Sequence, residues 1–221
     1  DVKSFVTDDA VNAQGFFVQD PGGGEWAGLW IYVDDPAALS IAVGDLVNMT
    51  GDVAEYYDMT ELVVAAAGDI EIVGSDATVV ITDVDASGVT DWEPYESVLI
   101  ALSDVTVTTD IDDRGECDLD MGLAMNDFLW SSEGIVGAGD TIDRLQGFIS
   151  YAYGEYTVEP RSIDDLRGIT EAPCLADSCM EDLGVGDLVV TEIMYNPDCA
   201  LVTAGCHDST HEWIEVFNDS S

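Results

Sequence analysis

The sequence predicts an all-β protein: two small, strongly coiled barrels in tandem, followed by part of a third β-domain. Three observations carry this expectation. Short runs of β-branched and aromatic residues recur from end to end, punctuated by Gly, Asp, Asn and Pro, and hardly any stretch sustains an apolar period near 3.6 residues. A segment of the first half recurs in the second, displaced by about 95 residues. Hydrophobic residues make up 47% of the 221, enough to build a folded core beneath a very acidic surface.

The elements follow in order. Phe16-Phe17-Val18-Gln19 and Leu29-Trp30-Ile31-Tyr32-Val33 flank Asp20-Pro21-Gly22-Gly23-Gly24, which reads as a hairpin with a longer loop. Asp34-Asp35-Pro36-Ala37-Ala38-Leu39 has an acidic start and Pro at a first helical position, which suits one short helical turn. Strands resume at Asp45 and continue through Val53 to Val64.

The repeat starts here. Val43-Gly44-Asp45 through Leu62 aligns with Ala138-Gly139-Asp140 through Val158, so that Gly51 meets Gly147, Val53 meets Ile149 and Tyr57 meets Tyr153. Each copy has a Gly-Asp turn, an alternating strand interrupted by Gly, and an aromatic strand end followed by a return strand. A bend at mid-strand Gly is what closure of a small barrel requires. The expected divisions are residues 1–85 for the first barrel, 86–170 for the second, 171–186 for a Cys-bearing linker and 187–221 for the opening strands of the third domain.

Charge narrows the function classes. Five Lys and Arg against 46 Asp and Glu leave a formal charge of −41, a surface that repels nucleic acid and anionic lipid. No apolar run approaches the ~20 residues of a membrane helix, so neither nucleic-acid binding nor membrane insertion is expected. Lys3, Arg114, Arg144, Arg161 and Arg167 cannot neutralise the carboxylates, which implies a saline or calcium-containing medium. The chain opens at Asp1 without a leader-like segment and reads as a mature form or a fragment.

Cysteine usage agrees with export. Cys174 with Cys179, and Cys199 with Cys206, suit two short-range disulfides, leaving Cys117 as a free thiol or a partner for a cysteine elsewhere. The rival reading makes Cys199, Cys206, His207 and His211 a zinc site, but their spacing does not match that of finger or knuckle sites.

Two resemblances add to this. Gly15 to Pro21, Val43 to Gly51 and Tyr56 to Leu62, continued by Tyr95 to Ile100, Asp104 to Thr108, Asn126 to Leu129 and Gly147 through Arg161, resemble the OB-fold region of secreted bacterial nucleases of the endonuclease/exonuclease/phosphatase type. That resemblance implies two tandem OB-like barrels. It concerns an accessory region, since the His, Asn and acidic metal-binding motifs of the nuclease domain are absent. Asp187 to Pro197 and His211 to Asn218 resemble the first two strands of a lamin-tail domain, which implies a partial immunoglobulin-like β-sandwich.

Candidate chemistry is sparse. His207 and His211 fall in a loop between two expected strands, no nucleophile-elbow motif occurs, and carboxylate pairs are too frequent for any one to be informative. The candidate metal site is Asp110, Asp112, Asp113, Glu116, Asp118 and Asp120, a density of hard oxygen ligands that suits calcium. Arg114 takes the place of an EF-hand ligand and Met121 that of its terminal Glu, so such a site would be irregular; a solvated acidic hairpin tip is the alternative. Trp26, Trp30, Trp92, Trp130 and Trp213 could form a carbohydrate platform, with core packing as the competing reading. The expected function is a non-catalytic β-module of an exported surface or matrix protein, partnered by other β-modules or by itself through strand edges. The rival is an accessory, substrate-positioning region of a secreted hydrolase.

Overall fold

The computed structural model describes residues 2–6, 15–33, 40–172, 188–194 and 213–218, with side chains for 15–33 and 40–172. The described residues are mostly strand, and none of their helical segments reaches seven residues. Contacts gather the chain up to Ala172 into one compact unit and Pro173–Ser221 into another.

The first unit holds two sheets. One contains β1 (Val2–Val6), β2 (Gly15–Gln19), β3 (Gly28–Val33), β4 (Leu46–Met49), β5 (Asp52–Tyr56), β6 (Met59–Val64) and β7 (Ile70–Gly74), in the order β5-β6-β3-β2-β1-β4-β7. The other contains β8 (Thr82–Asp83), β9 (Leu99–Thr106), β10 (Cys117–Asp118), β11 (Ala124–Met125), β12 (Thr141–Ala152), β13 (Glu155–Glu159) and β14 (Leu166–Thr170), in the order β10-β11-β13-β12-β9-β8, with β14 on β12. The expected hairpin of residues 16–33 is present as β2 against β3, Phe17 opposite Trp30. The expected helical turn at 34–39 lies outside the described residues.

Neither ladder closes into the expected barrel. In the first sheet the chain leaves β4 at Thr50 and Gly51 and enters β5, which among the described residues pairs only with β6 at the far edge while β4 lies between β1 and β7. In the second, β9 and β10 meet only beyond their ends, at the isolated bridge Val107↔Leu119, where the acidic loop takes the chain out of the sheet.

The repeat nevertheless recurs bond for bond. Asp45 accepts from the Ala42 N–H at 2.9 Å, and Asp140 from the Gly137 N–H at 2.8 Å. The register from Asp52↔Val63 to Tyr56↔Met59 matches that from Phe148↔Glu159 to Ala152↔Glu155. The parallel contact of β3 with β6, Ile31↔Leu62, corresponds to that of β11 with β13, Met125↔Val158. A 3-10 turn precedes β7 (Ala67–Asp69) and β14 (Ile163–Asp165) alike. Gly51 and Gly147 stand one residue before these equivalent registers. A Cβ on either would collide with the returning strand, at the Val63 carbonyl in one copy and the Glu159 carbonyl in the other.

The two sheets are joined through their cores. All five residues of β2 are buried, because each of its faces packs. Phe16 and Val18 enter a core with Ile31, Val33 and Val64, while Phe17 packs with Trp30, Leu99 and Phe148. The Phe17 and Phe148 rings stack at 4.4 Å and 6°, with Trp30 edge-on to Phe17 at 4.7 Å. Fully burying each phenylalanine contributes roughly 1.5–3 kcal/mol, and the aromatic pairing about 1 kcal/mol more. Gln19, fully buried, donates to the Val80 carbonyl at 2.6 Å and accepts from the Leu99 N–H at 3.1 Å, so its amide is satisfied within the join. At Gly28 a side chain would run into the Ser97 carbonyl, so glycine there lets the sheets approach.

In the second unit, β15 (Leu188–Met194) and β16 (Trp213–Asn218) form an antiparallel pair with an irregularity between Val190 and Glu192. These are the two strands expected at this end of the chain.

Candidate functional site: acidic surface features and buried carboxylates

The acidic run Asp110–Asp120 forms the tip between β9 and β10, closed by the Asp112 N–H on the Glu116 carbonyl at 2.9 Å. Its carboxylates are distributed over separate partners. Asp112 accepts from the backbone N–H groups of Arg114 (2.9 Å) and Glu116 (3.1 Å) and pairs with the Arg114 guanidinium at 2.9 Å, which holds its carboxyl below the ordinary range. Asp110 accepts from the Ala138 N–H at 2.9 Å, and Asp120 from the Thr106 N–H at 3.1 Å. Glu116 accepts from the Asn126 amide at 3.3 Å, and burial pushes its carboxyl up. Asp118 forms the short strand β10, its N–H donating to the Thr109 hydroxyl, and Asp113 lies at the exposed tip. Among the described residues no three carboxylate, His or Cys side chains converge as metal ligands, these six included.

A cleft of about 680 Å³ opens beside β8 and β9, lined by Asp83, Asp85, Ser87, Ser103, Asp104 and Asp120 with Val84 and Met121. Three of its acids are engaged: Asp83 pairs with Arg144, Asp85 caps a turn by accepting from the Ser87 N–H and hydroxyl, and Asp120 holds the Thr106 N–H. The Ser87 hydroxyl holds the Asp85 carboxyl below its ordinary range.

The most perturbed carboxylates are interior. Glu159, 1% exposed, accepts from the Thr157 hydroxyl at 2.6 Å and the Phe128 N–H at 3.2 Å. Burial nonetheless raises its pKa to about 7, the two hydrogen bonds opposing and the negative charges of Asp127 and Glu116 adding. Glu96 begins the segment leading into β9 and accepts from the Thr60 N–H of the first sheet at 2.8 Å. Its other oxygen is buried and unbonded, as is the neighbouring Ser97 hydroxyl. Burial raises Glu96 to about 7, Thr60 opposing and Glu93 and Glu55 adding repulsion. Tyr156 donates its O–H to Glu93 at 2.6 Å, and burial followed by that bond holds its phenol well above the usual range. With pKa values near 7, the Glu96 and Glu159 carboxyls exchange protons close to neutral pH.

Cys117 is a buried free thiol whose pKa burial pushes to about 11, with Asp118 and Glu116 adding. Trp30 and Trp92 are buried and Trp130 half-buried against the apolar core of the second sheet, around Ile100, Leu102, Ile142 and Leu145, while Trp26 is exposed. The paired-cysteine and zinc expectations at Cys174, Cys179, Cys199, Cys206, His207 and His211 lie outside the described residues, as does the side chain of Trp213. Glu159 escaped the sequence reading, although the repeat held a signal for it: the equivalent position in the first copy is Val63, so an acid stands where its counterpart is apolar. No family model, curated protein or solved structure matches the chain.

Proposed function

We propose that the chain is a non-catalytic, rigid β-module of an exported surface or extracellular assembly, built from two OB-like barrels and the opening strands of a lamin-tail-like domain. The observation that carries this reading is the shared interior of the two repeats. The Phe17–Phe148 stack and the Gln19 bonds lock them together, so the pair transmits position and load as one body. The OB-like reading is supported by two details of pairing. Strands β4 and β5 are consecutive, so the path β4-β1-β2-β3-β6-β5 begins and ends on what is nearly one bent strand. In the second copy the Val107↔Leu119 bridge brings β9 against β10.

Assembly is supported by β15 and β16, which among the described residues pair only with each other: a two-stranded sheet is marginal alone, and open strand edges are templates for a further strand. Subunits carrying −41 repel, so association through these edges requires screening cations, calcium among them. Light scattering of the full chain, and of a chain ending at Ala172, tests the reading with and without calcium. Salt- or calcium-dependent growth of the full chain only is expected; monomers of both chains under all conditions would refute self-assembly.

A further inference from the structure

The two repeats bring their equivalent hairpin tips together. Tyr57 and Tyr153 each take the first central position of the two-residue turn that joins β5 to β6 and β12 to β13. Both lie in left-handed backbone, at φ 51° and 55°, followed by Asp58 at 66° and Gly154 at 94°. Such turns ordinarily hold Gly, Asn or Asp, and a bulky side chain there is uncommon. The local conformation therefore gives no reason for tyrosine in either copy.

The rings belong to none of the three hydrophobic cores. Tyr56, Tyr57 and Tyr153 are 63%, 61% and 90% exposed. They form one continuous surface, Tyr56 edge-on to Tyr57 at 4.7 Å and Tyr57 beside Tyr153 at 5.6 Å with the rings tilted by 34°. One repeat supplies two rings and the other the third, so the patch exists only in the tandem arrangement. Exposed Asp52, Glu55, Asp58 and Glu155 stand on the same two hairpins, and neither Thr50–Met59 nor Tyr151–Val158 contains a Lys or Arg. Arg114 comes within electrostatic reach of Glu155 but is committed to Asp112 and Glu116.

We propose that these paired tips are a docking patch for an arginine- or lysine-bearing segment of another polypeptide, its cation resting on the tyrosine faces and paired with the carboxylates of the two hairpins. Aromatic faces attract cations, and the surrounding negative field concentrates them there. A neutral sugar would use the rings but gain no charge attraction from the carboxylates. The inference rests on the patch alone and is independent of the assembly reading.

The test is titration of the full chain with a short alternating Gly-Arg peptide, read by the tyrosine ring resonances, in about 0.5 M NaCl, where screening suppresses the general attraction of the acidic surface. The double variant Tyr57→Gly, Tyr153→Gly keeps every charge and places in both turns the residue they accommodate most readily. The expected result is binding roughly fivefold or more weaker in this variant than in the wild type, two exposed cation–π contacts being lost. The same peptide with citrulline in place of arginine should bind weakly to both. Equal affinity of variant and wild type, no binding to the wild type, or equal binding of the citrulline peptide or a neutral oligosaccharide would overturn the proposal.

Discussion

Replacing Glu159 by Gln removes a buried charge while leaving its two hydrogen bonds available, since a Gln side chain can still accept from Phe128 N–H and donate to the Thr157 hydroxyl. The folded carboxyl has a pKa of about 7 against an ordinary 4.5. At about 1.4 kcal/mol per unit, that difference amounts to about 3 kcal/mol. The folded state binds the proton more tightly than the unfolded chain, so the contribution is complete below about pH 4.5 and is lost as pH rises through about 7. Glu159→Gln should therefore gain stability relative to wild type across that window, approaching 3 kcal/mol above it. Urea unfolding of both proteins at a series of pH values measures the difference, in which the repulsion among the other carboxylates largely cancels. A difference that does not change with pH would show that Glu159 keeps an ordinary pKa in the fold, and would refute the reasoning.

Two further outcomes follow from the shared interior. Phe148→Ala should cost about 3–5 kcal/mol and leave the unit up to Ala172 melting in a single transition, because the ring packs against residues of both sheets. Two separate calorimetric transitions would show that the repeats fold independently. Cys117 should resist an aromatic disulfide reagent at pH 8 in the native protein and react at the rate of unfolding, since it is buried with its pKa raised to about 11. Rapid native labelling would contradict that placement.

Much of the local architecture was legible in one dimension. A strand's alternating pattern, a Gly-Asp turn and a Gly at a bend act over a few residues, so they leave local traces; the recurrence of those traces disclosed the internal repeat. Gly51 and Gly147, Asp45 and Asp140, and Tyr57 and Tyr153 were paired by spacing and occupy equivalent places in the fold. The acidic run of Asp110–Asp120 was equally visible, but its chemistry was not. Carboxylates close in sequence can cap different backbone N–H groups: here Asp110 takes that of Ala138, Asp120 that of Thr106, and Asp112 those of Arg114 and Glu116.

Only the tertiary structure decided which faces were buried twice and which groups met across the repeat. The second buried face of β2, the Phe17–Phe148 stack and the interior position of Glu159 depend on the close approach of residues far apart in the chain. Periodicity reports that one face of a strand is apolar, but it carries no information about what lies against the other. The tyrosine patch has the same origin: the sequence placed a tyrosine in each turn, and the packing of one sheet on the other brought the rings together.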